Sequence, residues 1–504
     1  MSFPVYDFLE RRAAVGPDRI TMEDLVTGKK VTYGEFHHRA GRAAALLTEL
    51  GVAEDDTVAI LCRNRIEFFE LLFACARLGA ILVPLNWRMP AAELKPLMAD
   101  CGARILLFGA EDASAASELC GAGVMLVDLD DEGLEGYPAR RDGLEPAEGR
   151  PFWPADDTWY LLYTSGTTGV PKAVIQTFGM CVGNHLNIAQ EIGLRADDTT
   201  PCFLPLFHTA GINLFALPAF ILGARVVTMP GLDAERLIRL LAAGEVDVIF
   251  AVPAVYQALS LHPEFKELDF KKVRAWACGG APMPDLLFEQ FAARGVTVLN
   301  GMGMTETGPA VFLMDRANAH RKIGSVGKPM VMSAVRIVGQ DGRDVGPGEP
   351  GELWFAGLNI TPGYYNKPEV TAETIVDGIW LKSGDLARQD EEGYYYIAGR
   401  IKEMYISGGE NVYPAEAENQ LADHPDVLEA AIVGVPDGQW GEVGCAFLLA
   451  RPGRTVPGED ELKAFLRERI AAYKIPKYFH VIEEFPRTAS GKVQKHLLPD
   501  PEDD

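Results

Sequence analysis

The segment 164–169, with the sequence TSGTTG, limits most strongly what this chain can fold into, because it contains only hydroxyl residues and glycines. It has no apolar side chain to bury, and its glycines lose backbone entropy wherever they are ordered. Its backbone N–H groups can approach an anion closely, its hydroxyl groups add donors, and Lys172 adds a positive charge. The apolar run 159–163 just before it predicts a buried strand, and open α/β sheets bind ligands at the carboxyl ends of their strands. The segment is therefore predicted to be a phosphate-binding loop.

A flexible surface linker is the alternative interpretation of this segment. Gly/Ser/Thr linkers rarely lie between two strand-like runs, however, and here the run 172–175 (KAVI) follows at once. The glycine-lysine-serine/threonine ending of a Walker A loop is missing, which disfavours a P-loop NTPase.

The acidic composition excludes some classes of function. A net charge of −24 argues against non-specific binding to nucleic acid or to an anionic membrane. The eight cysteines form no Cys-x-x-Cys pair and no zinc-like cluster, which indicates reduced thiols in a cytoplasmic enzyme. No signal peptide is evident, and the longest apolar stretches, 71–85 and 214–224, are shorter than the ~20 residues of a membrane span. We therefore expect no integral membrane contact.

Alternating strand-like and helical runs predict an α/β fold with doubly wound parallel sheets. Thr32 and Glu35 form a capping box that opens a helix, strand-like residues 58–61 precede a helix at 66–78, and a further helix is expected near Ala91. The acidic, Gly/Pro-rich stretch 129–157 suggests a surface connection before the loop. After the loop the alternation resumes, with strand-like runs at 225–229, 246–250, 273–276 and 296–299.

The pattern changes near residue 330. Glycine-proline turns separate short apolar runs between 330 and 400, which predicts a small antiparallel β module. About a hundred residues of mixed pattern follow, a size suited to one small α+β domain. A strand at 429–435 and a helix at 459–470 are expected within it.

Several further segments carry residues suited to chemistry. Glu306 offers a hard oxygen ligand for Mg²⁺, and Asp385 could accept hydrogen bonds from ribose hydroxyl groups. The segments are PLFHTAG with His208, GGAPMP at 279–284, GMGMTE at 301–306, KSGDL with Asp385, AGR with Arg400, SGGEN at 407–411 and ASGKV with Lys492. Taken singly, each of these segments has a structural alternative, such as a core histidine, an ordinary β-to-α turn, a turn aspartate or a solvated lysine.

In local sequence and in order along the chain, residues 163–495 resemble the signature motifs of the adenylate-forming enzymes, which include acyl-CoA synthetases, peptide-synthetase adenylation domains and beetle luciferases. Two positions depart from the family pattern. Met302 stands where the family usually has an aromatic residue that stacks on adenine, although its thioether can still pack there. Ala173 stands where glycine is usual.

The resemblance implies a role for each matching residue. It implies a large adenylating domain at 1–399, a hinge at 400–402 that pivots at Lys402, and a small mobile domain at 403–504. The catalytic residues would be Lys492, His208, Thr305 and Glu306, with Glu306 also the metal ligand. ATP or AMP would be bound by Thr164, Ser165, Gly166, Thr167, Thr168, Gly169, Lys172, Gly280, Ala281, Pro282, Gly301, Met302, Gly303, Met304, Asp385 and Arg400. The acyl pocket would be formed by His208, Ile212, Asn213, Gly279, Gly280 and Met304, and the coenzyme A (CoA) site by Gly408, Gly409, Trp440, Lys474 and Lys477.

The same resemblance implies a two-step ligase that uses ATP, Mg²⁺ and CoA. A small-molecule carboxylic acid would be adenylated with release of pyrophosphate, and the CoA thiolate would then displace AMP. Apolar, bulky residues in the expected pocket favour a hydroxycinnamate-type acid, such as ferulate or 4-coumarate, over a medium- or long-chain fatty acid. Asn213 could meet a ring substituent, or it could be a helix cap.

Three other functions stay open at this point. An adenylation enzyme that loads a carrier protein would normally be followed by a carrier segment, and none is expected after Lys492. A luciferase-like oxygenase shares the motifs. A non-catalytic acyl or nucleotide sensor would be expected to have lost Lys492 or Glu306, and both are present. The pattern is compatible with a monomer or a homo-oligomer.

Overall fold

The structure, a computed structural model, describes residues 2–121, 123–164, 171–487 and 492–499. Within these ranges the chain forms three mainly parallel sheets, an antiparallel β module and a C-terminal α+β unit, as the alternation of apolar runs predicts. No helix in these ranges is long and apolar enough to cross a membrane.

Sheet A carries the predicted phosphate loop. Its strands are parallel except for Lys172–Thr177, which returns antiparallel to Thr158–Thr164. The loop therefore joins the two strands of a hairpin rather than a strand and a helix. In spatial order the strands of sheet A are Lys172–Thr177, Thr158–Thr164, Ile81–Pro84, Thr57–Leu61, Ile105–Phe108 and Met125–Asp128.

Sheets B and C complete the large domain. In the spatial order of each sheet, the first three strands are parallel, and one or two antiparallel strands follow at one edge. Sheet B consists of Thr199–Cys202, Arg225–Thr228, Ile20–Asp24 and Lys30–Thr32. Sheet C consists of Val248–Ala251, Ala275–Cys278, Val298–Gly303, Ala310–Leu313 and Lys328–Pro329.

The β module and the C-terminal unit have one sheet each. Sheet D is antiparallel and contains Ser333–Val338, Gly351–Gly357, Trp380–Gln389, Ile375–Val376 and Tyr395–Arg400. Sheet E contains Glu410–Val412, Tyr405–Ser407, Gly441–Ala450, Val427–Asp437 and Tyr478–Val481.

Helices cover the sheets. The α-helices of the large domain and β module are Phe8–Val15, Tyr33–Glu49, Ile66–Leu78, Ala91–Cys101, Ala113–Leu119, Tyr137–Asp142, Phe178–Ile192, Ala216–Leu222, Ala234–Ala243, Pro253–Leu261, Asp285–Ala292 and Pro368–Thr374. Those of the C-terminal unit are Pro414–Ala422 and Glu459–Arg467. Shorter 3₁₀ turns include Thr305–Thr307, Ile401–Glu403 and Lys495–Leu497.

The helix Tyr33–Glu49 shows how local sequence sets these elements. The predicted capping box is present, because the Glu35 N–H donates to the Thr32 hydroxyl and the Thr32 N–H donates to the Glu35 carboxylate. Its apolar face packs against the helix Ile66–Leu78, which is buried almost all round. These two helices form the main core with the strands of sheet A.

The stretch 129–157 is more than the surface connection that its composition suggests. Its short helix buries Tyr137 and Arg141, and Arg141 pairs with the fully buried Glu70 at 2.9 Å. Trp153 is also buried and stacks on Phe178. The predicted surface role is therefore wrong for these residues, because their partners lie far away in the chain and leave no local pattern.

Candidate active site

Glu306 lies at the centre of the site. It belongs to the 3₁₀ turn Thr305–Thr307 after the strand Val298–Gly303, and only 7% of its surface is exposed. The Tyr364 hydroxyl donates to Glu306 Oε1 at 3.0 Å, and the Lys172 ammonium lies 5.4 Å from the centre of the Tyr364 ring. Burial raises the pKa of Glu306, although the hydrogen bond and nearby cations oppose that rise. Such a desolvated carboxylate is suited to bind a cation.

Asp385 and Arg400 meet across sheet D. They are register partners in the strands Trp380–Gln389 and Tyr395–Arg400, and Arg400 Nε lies 2.7 Å from Asp385 Oδ1. Asp385 is buried, whereas 41% of the Arg400 side chain is exposed. Burial raises the pKa of Asp385, against the opposing charges of Arg400 and Lys492.

Lys492, on the C-terminal unit, lies close enough to Glu306, Asp385 and Arg400 for their charges to act on one another. We call the place where these four residues meet the cleft. Partial desolvation lowers the pKa of Lys492, and Arg400 lowers it further, while the carboxylates of Asp385 and Glu306 raise it. The residue keeps exposed surface. The structure therefore brings together Glu306, Asp385 and Lys492, which span 186 positions of the chain.

His208 lies at the edge of this constellation. It precedes the five-residue π-helical turn Ala210–Leu214, and its Nε2 has no hydrogen-bond partner among the residues that the structure describes. Desolvation lowers its pKa to about 4, with further contributions from the charges of Lys492 and Arg88. The ring is therefore neutral at pH 7, so one ring nitrogen can donate a hydrogen bond and the other can accept one.

Glycines allow two predicted nucleotide segments to approach each other. The strands Ala275–Cys278 and Val298–Gly303 are parallel neighbours, so the segment 279–282 follows its strand beside residues 301–304. A Cβ atom on Gly279 would lie 2.9 Å from the Gly301 carbonyl oxygen, and one on Gly303 would lie 1.7 Å from the Pro309 carbonyl oxygen. Larger residues would push these segments apart.

Met302 and Met304 are half-buried and pack against the core of the β module. Gly280, Ala281 and Pro282 keep exposed surface beside them. The predicted adenine-facing residues thus form one face, whose contacts with a nucleotide stay a prediction.

The predicted acyl-pocket residues are only partly available to a ligand. Ile212 is fully buried in the main core. The Asn213 amide donates to Gln176 Oε1 and to Thr209 Oγ1, both at 3.3 Å, so its donors are engaged by protein. It lies within the π-helical turn and does not cap a helix. A cavity of about 20 Å³ beside this turn is lined by Phe203, Phe215 and Phe250 among other apolar residues.

The predicted CoA residues lie on the C-terminal unit. Gly408 donates its N–H to the Trp440 carbonyl at 2.8 Å, and half of the Trp440 surface is exposed. Asp437 links Trp440 to Lys477, because it accepts the Trp440 N–H and lies 2.5 Å from the Lys477 ammonium. Gly409 is exposed beside them. Lys474 instead donates to both oxygens of Glu416 at 2.7 Å, so a phosphate would have to compete for it.

The predicted pivot Lys402 is an exposed residue of the 3₁₀ turn Ile401–Glu403, which connects sheet D to sheet E. Residues 165–170, with the predicted Ser165, Gly166, Thr167, Thr168 and Gly169, lie outside the described residues. Thr164 is the last residue of its strand and faces Lys172 in register.

Sequence reasoning missed Tyr364 and Arg88. Tyr364 holds Glu306, but its position depends on the turn 361–364, whose Thr361 N–H donates to the Glu306 carbonyl. Arg88 follows the strand Ile81–Pro84, and its guanidinium lies 4.6 Å from the Trp87 ring. The sequence offered one indication of Arg88, namely a cation shortly after a predicted strand.

The residues present fit a magnesium ion. In the described ranges no group of three or more His, Cys, Asp or Glu side chains could enclose a metal. Mg²⁺ is usually held by one or two carboxylates together with substrate phosphates and waters. The single desolvated carboxylate of Glu306 matches that pattern.

The chain belongs to the AMP-binding enzyme family. The family model matches residues 9–365, and the model of its C-terminal domain matches residues 416–492. The chain is 39% identical over 488 residues to a feruloyl-CoA synthase of Amycolatopsis sp., with 96% of each chain covered. It is 34% identical over 491 residues to the long-chain-fatty-acid–CoA ligase FadD13 of Mycobacterium tuberculosis, with 97% of each covered.

A solved structure supports the same assignment. The o-succinylbenzoate CoA synthetase MenE from Bacillus subtilis, in complex with its acyl-adenylate intermediate, matches with a TM-score of 0.89 at 32% identity over 99% of each chain. That enzyme has also been solved with ATP and a magnesium ion. The present chain is an AMP-forming acid–thiol ligase.

Proposed function

We propose that this enzyme joins a hydroxycinnamate-type aromatic acid to CoA through an acyl-adenylate, with release of pyrophosphate and AMP. One observation carries the proposal: Lys492 enters the cleft that holds Glu306, Asp385 and Arg400, although it lies on a separate unit. Its position supports a role for this cation in bringing an anionic acid to a polyanionic nucleotide.

The first step is mainly a problem of charge. The acid carboxylate attacks the α-phosphorus of ATP, and pyrophosphate leaves. Lys492 would stabilise charge that develops between the carboxylate and the α-phosphate, and Lys172 with the 164–169 segment would hold the leaving pyrophosphate. Mg²⁺, when held by Glu306, supplies further neutralisation. Asp385 and Arg400 would orient the ribose.

The second step needs a different face of the C-terminal unit. Rotation about Lys402 would withdraw Lys492 and bring the surface of Gly408, Gly409 and Trp440 to the adenylate. The CoA thiolate then forms a bond to the acyl carbon, and AMP leaves. Lys477 beside Trp440 would contact the CoA phosphates.

Two findings support an aromatic substrate. Phe203, Phe215 and Phe250 line the small cavity beside the turn Ala210–Leu214, and Phe215 meets Phe250 edge to face at 6.1 Å. The feruloyl-CoA synthase shares more identity with this chain than does FadD13. Because the donors of Asn213 are engaged, they do not support the predicted contact with a ring substituent. A fatty acid is the second candidate, supported by the match to FadD13.

ATP–pyrophosphate exchange tests this proposal directly. Purified enzyme would be assayed with acetate, octanoate, palmitate, benzoate, 4-coumarate and ferulate, each with and without CoA. Exchange confined to the aromatic acids, with CoA thioester formed on addition of CoA, is the expected result. Exchange with octanoate or palmitate alone would replace the aromatic substrate by a fatty acid. Adenylate formation that CoA cannot discharge would indicate a carrier-protein acceptor, and nucleotide binding without exchange would indicate a sensor.

A further inference from the structure

We infer that Lys495 is a positioning residue that holds Lys492 in the adenylation cleft by anchoring its chain segment to Glu418 and to Glu403. The inference rests on the proposed role of Lys492. It concerns a cation that lies three residues after Lys492 in the chain.

Lys495 bridges two carboxylates from different elements. Its ammonium lies 2.8 Å from Glu418 Oε1 and 2.5 Å from Glu403 Oε2. Only 19% of the Lys495 side chain and 16% of the Glu418 side chain are exposed. Because the two groups are desolvated together, their pairing is stronger than that of an exposed ion pair, and loss of one partner leaves the other unpaired.

Glu418 is itself fixed to the core of the C-terminal unit. It projects from the helix Pro414–Ala422, and its Oε1 accepts the N–H of Ile432 in the strand Val427–Asp437 at 2.6 Å. Burial raises the pKa of Glu418, and the Lys495 charge opposes that rise. The carboxylate is therefore a rigid attachment point.

The chain around Lys492 is held in an extended conformation by contacts with residues 485–487. Val493 forms a bridge with Arg487, Gln494 donates its N–H to the Pro486 carbonyl at 2.8 Å, and Val493 packs into a small core beside Phe485. Successive side chains of an extended segment alternate between its two faces. With Val493 packed into this core, Lys492 belongs to the other face of the extended segment. Lys495 begins the 3₁₀ turn Lys495–Leu497 directly afterwards and is held there by Glu418 and Glu403.

Glu403 connects this anchor to the hinge. It is the last residue of the 3₁₀ turn Ile401–Glu403 and directly follows the predicted pivot. Lys495 thus ties the segment that carries Lys492 to the first residue beyond Lys402. This contact fixes the segment that carries Lys492 relative to the first residue of the unit beyond the predicted pivot.

The test compares Lys495→Met with Lys463→Met. Lys463 is a matched control, because it pairs with Glu459 on the same unit, and its side chain is 20% exposed. We expect Lys495→Met to lower kcat for ATP–pyrophosphate exchange by roughly tenfold to a hundredfold with little change in the KM for ATP, since a displacement of about 1 Å has an effect of this size. Thioester formation from supplied acyl-adenylate should stay within about threefold of wild type, because it does not use the inward position of Lys492. Lys495→Arg should restore much of the exchange.

A double variant separates positioning from stability. Lys495→Met alone leaves Glu418 buried without its cation and should lower the melting temperature, whereas Lys495→Met/Glu418→Gln removes both charges and should recover it. We expect exchange to stay low in the double variant. Recovery of exchange together with the melting temperature would show a purely structural role and overturn the inference, as would equal losses in both half-reactions.

Lys492→Ala, assayed in parallel, distinguishes the two proposals. If it retains exchange, the proposed role of Lys492 fails and the inference fails with it. If Lys492→Ala loses exchange while Lys495→Met keeps it, only the positioning role is wrong.

Discussion

At the scale of single residues, Lys492 carries the proposed chemistry of the first step. Desolvation lowers its pKa, and the carboxylates of Asp385 and Glu306, which oppose that shift, favour its charged form. Removal of one preorganised charge of this kind typically reduces a rate by ~100-fold or more. We expect Lys492→Ala to reduce ATP–pyrophosphate exchange by that factor, with Lys463→Ala close to wild type. A loss below about fivefold would contradict the assigned role.

Tyr364 should lower the pKa of Glu306. Its hydroxyl stabilises the ionised carboxylate through the 3.0 Å hydrogen bond, so Tyr364→Phe should raise the pKa of Glu306. Because the ionised form is needed to hold Mg²⁺, the acidic limb of the pH–rate profile should move to higher pH by roughly half a unit to one unit. The profile of ATP–pyrophosphate exchange at fixed Mg²⁺ measures this shift. Tyr365→Phe, one residue further on, serves as control. If the acidic limb does not shift in Tyr364→Phe, ionisation of Glu306 does not set the pH dependence.

At the scale of elements, the hinge turn Ile401–Glu403 should separate the two half-reactions. Proline at 402 suits the backbone angle of a 3₁₀ turn but prevents the change that rotation requires. We expect Lys402→Pro to keep exchange and to block thioester formation, with Lys402→Ala active in both. Equal losses in the two half-reactions of Lys402→Pro would argue against a pivot at this position.

The elements that sequence predicts well are those with local signals. The capping box at Thr32 and the apolar runs gave correct positions for the helices at 33–49 and 66–78 and for most parallel strands, because caps and periodicity act over a few residues. The helix expected at 459–470 ends at Arg467 instead. The burial of Arg141 against Glu70 and the attachment of Tyr364 to Glu306 could not be found this way, because each pair joins residues more than fifty positions apart.

At the scale of the whole molecule, carboxylates face each other where the large domain meets the C-terminal unit. The Leu286 N–H, in the helix Asp285–Ala292, donates to Asp423 Oδ1 at 3.4 Å, and Glu289 lies on the same helix. Desolvation raises the pKa of Asp285 to about 6, with Asp423 and Glu289 raising it further. Desolvation also raises the pKa of Asp423. The charge of Glu289 adds to this rise, and the charges of Arg451 and Arg469 oppose it. Ionisation of Asp285 and Asp423 therefore weakens this contact.

This contact should make the arrangement of the two units depend on pH. A carboxylate whose pKa is raised in the contact disfavours the contact once it ionises, so contact strength should rise as the pH falls from 7 through about 6. Asp423→Asn removes one negative charge but keeps an oxygen acceptor for Leu286. At pH 7 it should therefore favour the arrangement in which the two units make this contact, and it should flatten the pH response. Fluorescence transfer between dyes on the two units, measured from pH 5 to 8, reports the arrangement, with Asp460→Asn on the exposed face of the C-terminal unit as control. The same pH response in wild type and in Asp423→Asn would show that other groups govern the contact. The expected response would favour thioester formation over adenylation as the pH rises, because a weaker contact releases Lys492 from the cleft more readily.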